Sequence, residues 1–305
     1  MTTRAMGPGA GFDWLKQAVN LGRNNPKAIF GGAALLLLAM FVLVGVASIA
    51  MVLLAMAAKP EGAISTVFSL VLAAAMMALM ASLMVGYLRL LDAVENGRPA
   101  RAVDVFSVFG DKATALRAIG FMLTLMLVQN LLVFGLVSVL APEFGSWYLQ
   151  NLQASMSGVP QAPPTSLPSG FGTVMVTMWL IGMFCYGVQS IGFGQIALRK
   201  GTLGSALADG VSGAAKNLLP LLVLFLVVVA AAIVVAVAFV LLALLVGVVA
   251  KLVGTWLLVL IGIPLYIALV VTMMVVMFGV MYYLWRDVCG DGQSPALPTH
   301  DQIEL

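Results

Sequence analysis

Amides are the strongest polar groups inside the six long uncharged runs of this sequence. Gln129 and Asn130 lie in the third run and Gln189 lies in the fourth, and no run contains Asp, Glu, Lys, Arg or His. If these runs cross a membrane, such amides either line a polar pathway or form hydrogen bonds between helices, and we favour the second. An ion-coupled transporter usually keeps an ionisable group near the midplane, so the sequence argues against a coupled pump.

The sequence carries no catalytic or metal-binding pattern. Its single histidine, His300, lies in the C-terminal tail, and its cysteines, Cys185 and Cys289, lack CxxC spacing. A Ser–His hydrolase or a histidine-ligated metal site needs a histidine in the folded part of the chain. Methionine is a common packing residue, so the 19 methionines do not by themselves indicate copper. We therefore expect no enzyme, no metal and no cofactor.

Four carboxylates between the second and third runs are the remaining candidates for acid–base chemistry. Three arginines each lie three residues from one of these carboxylates, and exposed carboxylates next to arginines usually form solvated ion pairs. We therefore expect charge pairing here rather than an active site. The carboxylates belong to Asp92, Glu95, Asp104 and Asp111, and the arginines are Arg89, Arg98 and Arg101.

The composition predicts an all-α polytopic membrane protein with six transmembrane helices. The chain has 305 residues, of which 62% are hydrophobic and 9% are charged, whereas soluble domains are about 25% charged. Each run exceeds the roughly 20 residues that a helix needs to cross a bilayer. There is no basic face for nucleic acid. The predicted spans are 28–58, 63–88, 118–141, 173–198, 218–250 and 252–285.

The distribution of positive charge predicts the orientation of the spans. With six spans, 13 of the 15 lysines and arginines fall on one side, and only Lys59 and Lys251 fall on the other. Because cytoplasmic loops are enriched in Lys and Arg, we place both termini in the cytoplasm. The Pro-rich loop 142–172 then lies outside, in the periplasm.

Three amphipathic segments, 12–27, 101–117 and 202–220, each precede a pair of spans. In the third segment the apolar residues recur at helical spacing, with Ser and Asp on the opposite face. We therefore predict one integral membrane domain of three hairpins, each preceded by a cytoplasmic surface helix, in units 12–88, 101–198 and 202–285. Residues 1–11 and 287–305 are predicted to be disordered tails. The third apolar stripe is Leu203, Leu207, Val211, Ala214 and Leu218.

Four segments carry a resemblance to a known family. They are GFDWLKQAVNLGRNNP, VGYLRLLDAVENGRPARAVDVF, ALADGVSGAAKNLLPLLV and YYLWRDVCGD. The layout resembles an uncharacterised family of bacterial inner-membrane proteins with six helices. It is more distantly similar to the membrane domains that accompany some glycerophosphodiester phosphodiesterases. The resemblance implies a multi-pass protein of the bacterial inner (plasma) membrane, and it implies no activity and no functional residues.

The basic residues at the ends of the surface helices are the best candidates for contact with lipid. Arg23, Lys27, Arg117 and Lys216 lie where a helix enters the bilayer, and each could hold a phosphate or anchor a span. We expect a non-enzymatic protein that organises membrane lipid, protein partners or its own oligomer at the cytoplasmic face. The alternative is an uncoupled carrier or channel for a small apolar or amphipathic solute, in which Gln129, Asn130 and Gln189 reach a central cavity.

Overall fold

The computed structural model describes residues 3–57, 63–156, 168–254 and 256–290, and these ranges contain helices but no strand. Two 3₁₀ helices interrupt the α-helices. In chain order the elements are α1 (Ala10–Asn20), the first 3₁₀ helix (Leu21–Arg23), α2 (Pro26–Ala57), α3 (Ala63–Glu95), the second 3₁₀ helix (Ala102–Gly110), α4 (Lys112–Leu140), α5 (Pro142–Met156), α6 (Phe171–Arg199), α7 (Leu203–Lys216), α8 (Leu218–Val253) and α9 (Trp256–Cys289).

Six of these helices are long and apolar enough to cross a membrane, which confirms the number of predicted spans. They are α2, α3, α4, α6, α8 and α9. Each extends beyond a predicted bound, and the largest extensions are those of α3 to Glu95, of α4 from Lys112 and of α9 to Cys289. Pro264 lies inside α9, which remains helical on both sides of it. Residues 58–62, between α2 and α3, lie outside the described ranges.

The predicted surface helix 101–117 is wrong as a single element. The chain forms the second 3₁₀ helix and then restarts at Lys112 as the spanning helix α4. Asp111 causes the restart, because its carboxylate accepts a hydrogen bond from the backbone N–H of Thr114 (3.2 Å) and caps α4. Similarly, predicted segment 12–27 divides into α1, the first 3₁₀ helix and the start of α2.

The N-terminal residues are ordered from Thr3 onward, contrary to the predicted disordered tail 1–11. The backbone N–H of Arg4 donates to the carbonyl of Val288 (3.0 Å), and that of Met6 donates to Oδ1 of Asn217 (2.7 Å). These bonds fasten the segment across α8 and α9. At the other end, residues 287–289 of the predicted tail belong to α9, and residues 291–305 lie outside the described part.

The predicted loop 142–172 begins as a helix. Residues 142–156 form α5, which packs against α4, and its Phe144 ring lies 6.2 Å from that of Phe171 at the start of α6. Gly170 adopts a left-handed backbone (φ 78°) just before α6, a conformation that favours glycine. Most of the Pro-rich part, residues 157–167, lies outside the described ranges.

The second spanning helix of each predicted pair lies in an inner ring. Helices α3, α6 and α9 contact one another, and the other three spanning helices lie outside them. Each outer helix packs on two inner ones: α2 on α3 and α9, α4 on α3 and α6, and α8 on α6 and α9.

The short helices pack on the pair of spans that precedes them around this ring. The second 3₁₀ helix lies on α2 and α3, and α7 lies mainly on α6. Helix α1 has no preceding pair in the chain, and it packs instead on α8 and α9, which closes the ring. Glycines permit these contacts: a Cβ on Gly86 would overlap the Val105 carbonyl, and one on Gly279 would lie 3.0 Å from Ala18 Cβ.

Burial divides the bundle into two halves. We call residues 3–36, 81–125, 185–224 and 271–290 the charged half, and the other described residues the distal half. All but four of the buried hydrophobic residues lie in the charged half. In the distal half of the described chain, the buried hydrophobic residues are Ala47, Ala141, Val174 and Ala250.

Candidate functional site

The charged half ends in a surface made by α1, both 3₁₀ helices, α7, residues 3–9 and the ends of the spanning helices that meet them. We call this surface the charged face. The four cations predicted to touch lipid can be compared by what their side chains bind. The comparison separates cations that hold the fold together from cations that remain available.

The side chain of Arg117 binds the C-terminal end of α6. Its Nη1 donates to the carbonyls of Lys200 (2.7 Å) and Gly201 (3.0 Å). Because the last carbonyls of a helix have no partner within the helix, this arginine satisfies and anchors that terminus. Lys200 itself has a positive φ of 53°, which ends α6 and turns the chain into α7.

The side chain of Lys216 binds the N-terminal segment. Its Nζ lies 3.0 Å from both the carbonyl oxygen and the hydroxyl of Thr3, and it donates to them. The adjacent Asn217 is buried and donates to the carbonyl of Arg4 (2.9 Å). The pair therefore holds residues 3–6 in place.

Arg23 and Lys27 are exposed and make no side-chain hydrogen bond or ion pair within the described residues. Both lie at the entry to α2, where Asn25 caps the helix by accepting from the N–H of Ala28 (3.1 Å). Of the four predicted cations, these two are therefore available to a ligand.

Two of the four carboxylates, Asp92 and Asp111, form ion pairs with arginines of the same segment, as the sequence predicts. Asp92 forms an ion pair with Arg98, and Asp104 accepts from the backbone N–H of Arg101 (2.7 Å). Asp111 lies 2.9 Å from Arg89, and hydrogen bonds from Thr114 and from Arg89 hold the pKa of its carboxyl well below the usual range. Arg89 also donates to the carbonyl of Ala197 (3.0 Å), so it ties α3 to α6.

A polar cavity of about 410 Å³, open to solvent, lies beside the polar side of α1 on the charged face. It forms where α1 and the first 3₁₀ helix pass the ends of α3 and α9. We call it the α1 cavity. Its wall carries two cations, two carboxylates and four neutral polar groups: Asp13, Lys16, Gln17, Asn20, Arg23, Asn24, Glu95 and Tyr283.

Glu95 forms the fixed wall of the α1 cavity. Its side chain is 10% exposed, and it accepts hydrogen bonds from the hydroxyl of Tyr283 (2.8 Å) and the amide of Asn24 (3.2 Å). Arg286 lies 3.7 Å from the same carboxylate and 4.5 Å from the centre of the Tyr283 ring. This arginine offsets the charge of Glu95 and also donates to Oε1 of Gln17 (2.6 Å).

Asp13, Lys16 and Arg23 lie at the rim of the α1 cavity. In the described chain their side chains have neither hydrogen-bond nor ion-pair partners, unlike that of Glu95. The cavity therefore presents two unpaired cations and one unpaired carboxylate. Sequence reasoning identified Arg23 as a lipid contact and Glu95 as one of four candidate carboxylates, but it missed Asp13, Lys16 and Tyr283. The DWLKQ and YYLWRD segments contained these residues, but nothing local indicated that they meet.

The intramembrane amides do not converge. Asn130 is exposed and donates to the carbonyl of Met126 in its own helix (2.7 Å), and Gln189 lies 3.8 Å from the sulfur of Met84. The second cavity, of about 440 Å³, is apolar and lies between α2 and α3 near Leu54 and Phe68. Neither cavity includes these amides.

No three His, Cys, Asp or Glu side chains in the described ranges are arranged to hold a metal ion. The described part of the chain is all-helical, and its six long apolar helices indicate a multi-pass membrane protein. No protein-family model, curated protein or solved structure matches the chain. The family resemblance therefore remains a prediction.

Proposed function

We propose that this chain is a non-enzymatic integral membrane protein that binds lipid at its charged face. We place that face on the cytoplasmic side of the bacterial inner membrane, because 13 of the 15 lysines and arginines fall there. The observation that carries the proposal is the division of α1 and α7 into three faces. One face is buried in the protein, one is apolar but exposed, and one is polar.

Helix α1 has these faces in a fixed rotational order. Successive residues of an α-helix are about 100° apart, so burial can be read around its axis. The sector next to the buried one is apolar and exposed, with Phe12 52% and Val19 63% exposed. The polar sector follows. The buried residues are Gly11, Trp14, Ala18 and Leu21, and the polar ones are Asp13, Lys16, Gln17 and Asn20.

Helix α7 repeats the order of α1. Its buried face consists of small residues, and Val211, 48% exposed, occupies the following sector before the polar one. The second 3₁₀ helix likewise buries Val105 and Val108 and exposes Val103 and Phe109. An exposed apolar row beside a polar row is what a helix needs to lie in the membrane interface. The buried residues of α7 are Ala206, Gly210, Gly213 and Ala214.

The distal half supports lipid as the partner. Residues 231–238 of α8 are all exposed, so this stretch packs against protein on no side. Those residues are uncharged, and the mean hydropathy of the span is 3.4. A helix that is apolar on every side needs hydrocarbon around it. The exposed rows of the short helices continue this lipid-compatible surface, which favours lipid over a protein partner.

The proposal includes the three predicted hairpins and their surface helices. The cyclic packing around the inner ring supports three related units about one axis, because each short helix contacts an equivalent pair of spans. The amides give no such support to the uncoupled carrier, since the α1 cavity and the α2–α3 cavity do not include them.

Lipid retention tests the proposal. We expect Arg23→Gln together with Lys27→Gln to lower the anionic phospholipid that co-purifies with the full chain, by about fivefold per cation, since each near-surface cation contributes about 1 kcal/mol. Mass spectrometry of the bound lipid measures the change. Lys251→Gln is the matched control, because Lys251 is exposed at the far end of α8. Unchanged retention in the double variant contradicts the proposal.

Cysteine labelling tests the orientation. Asn96 on the charged face and Gln150 on α5 are both exposed, whereas the native Cys185 and Cys289 are buried. A membrane-impermeant maleimide should label Asn96→Cys from the cytoplasmic side and Gln150→Cys from the opposite side. The reverse pattern contradicts the assigned orientation.

A further inference from the structure

We propose that the α1 cavity binds a zwitterionic phospholipid headgroup that carries a phosphate and a primary ammonium, as an ethanolamine phospholipid does. This inference rests on the proposed lipid function and specifies its ligand. It follows from which charges in the cavity remain unpaired, and from their order relative to the lipid-facing row of α1.

The unpaired cations define the phosphate subsite. Lys16 and Arg23 line the cavity and have no partner within the described residues. An arginine fork and a lysine ammonium together form charge-assisted hydrogen bonds with several phosphate oxygens. Glu95 does not cancel them, because Tyr283, Asn24 and Arg286 already surround its carboxylate.

The unpaired carboxylate defines the ammonium subsite. Asp13 lines the same cavity and has no cation bonded to it in the described chain. It is one helical turn before Lys16 on α1, so both groups can contact a single small ligand. A ligand with a phosphate alone would leave Asp13 close to a negative group, which is unfavourable. An added ammonium removes that repulsion.

The order of charges around α1 favours a lipid source. At about 100° per residue, Lys16 is the polar residue next to the exposed apolar row of Phe12 and Val19, and Asp13 lies further from that row. In a phospholipid the phosphate is nearer the acyl chains and the ammonium is further away. The helix therefore presents its cation and its carboxylate in the order that such a headgroup requires.

The residues that form the wall of the cavity are held in place without a ligand. Glu95 is nine-tenths buried, and the bonds of Arg286 to Glu95 and Gln17 fix α9, α3 and α1 relative to one another. The ligand therefore does not have to organise this side of the site, which lowers the cost of binding.

The test uses the full chain reconstituted in vesicles of equal phosphatidylethanolamine and phosphatidylglycerol. Retained lipids are quantified by mass spectrometry after solubilisation. We expect the wild type to prefer phosphatidylethanolamine. Asp13→Asn should reduce this preference about two- to fivefold, and Lys16→Gln with Arg23→Gln should reduce retention of both lipids. Lys112→Gln, an exposed lysine at the start of α4 that does not line the cavity, should change neither.

Three results overturn the inference in distinguishable ways. If the wild type prefers phosphatidylglycerol, or if Asp13→Asn keeps the preference, the zwitterionic assignment fails while lipid binding through Arg23 stands. If retention does not depend on Arg23, the proposed function fails as well. If lipid-free protein binds glycerophosphoethanolamine with the same dependence on Asp13 and shows no preference for the lipid, the source is a soluble compound and the lipid assignment fails. Circular dichroism and the Tm of each variant exclude loss of fold as the cause.

Discussion

Apolar side chains make up most of the spanning helices in both the charged half and the distal half, yet only the first half is packed as a protein core. In α4, Phe121 is fully buried, and its ring meets that of Phe193 at 5.2 Å. In the same helix, Phe134 is 66% exposed. Both are phenylalanines in one uncharged run, so hydrophobicity alone does not decide which of them is buried.

This difference in packing shows which contacts specify the fold. In lipid, burying an apolar side chain brings no hydrophobic gain, so helices associate through close packing and polar contacts. The charged half has both, in the glycine contacts of Gly86 and Gly279 and in the ion pairs of Arg89 and Arg286. The distal helices are mostly exposed, and their surface suits hydrocarbon instead. We therefore expect substitutions to affect stability strongly in the first half and weakly in the second.

The largest expected effect is at the buried phenylalanine. Phe121→Ala should destabilise the protein by about 3 kcal/mol, because it leaves a cavity beside Phe193 and Gly192. Phe134→Ala should cost less than about 0.5 kcal/mol. Unfolding of both variants in the same detergent measures the difference. Equal losses contradict the division into two halves.

The next effect is at a close helix contact. Gly86→Ala should destabilise by about 2 kcal/mol, because the added Cβ overlaps the carbonyl of Val105 and separates α3 from the second 3₁₀ helix. Gly262→Ala in α9 is the control, since no atom lies within 4 Å of its added Cβ. The Tm of each variant is the measurement. A stable Gly86→Ala protein shows that this contact does not constrain the fold.

The ion pair at the start of α4 predicts a smaller effect that depends on pH. The pKa of Asp111 is lowered in the folded protein, first by its bond from Thr114 and then by Arg89. Its stabilisation is therefore fully present above about pH 4, the usual pKa of Asp, and is lost as the pH falls through the folded value. Asp111→Asn should be less stable than wild type at pH 7 by about 1 kcal/mol, and this gap should narrow below pH 4.

Denaturant unfolding at several pH values measures that gap. Asp13→Asn is the control, because Asp13 is exposed and has no ion-pair partner in the described ranges. If the stability difference between wild type and Asp111→Asn grows as the pH falls, it has the opposite sign to that expected for this ion pair and contradicts the prediction.

The smallest effect is expected for an amide of the distal half. Asn130→Leu should change stability by less than about 0.5 kcal/mol, because its amide bonds only to Met126 in its own helix and its side chain is exposed. Unfolding in detergent and solute flux into vesicles are the measurements. A loss of flux without a loss of stability favours the uncoupled carrier.

Part of the α1 cavity could be predicted and part could not. Arg23 stands out in the sequence because it is a cation just before an apolar run. Glu95 and Tyr283 are 188 residues apart, and Arg286 meets Gln17 across 269 residues. No local sequence pattern predicts these long-range contacts, because they depend on how α1 packs against α9 to close the ring. For the same reason the sequence could not tell that Arg117 and Lys216 are committed to internal carbonyls.

The sequence alone determined the properties that depend on neighbouring residues. Uncharged runs longer than a bilayer determined the six spans, and the nearby arginines determined the pairing of Asp92 and Asp111. The tertiary structure decided which side of each short helix is buried. Val211 was predicted to share one apolar stripe of α7 with Ala214, yet the helix buries Ala206, Gly210, Gly213 and Ala214 and exposes that valine. The physical reason is that helices approach most closely through small residues, while larger apolar side chains are equally well placed in lipid.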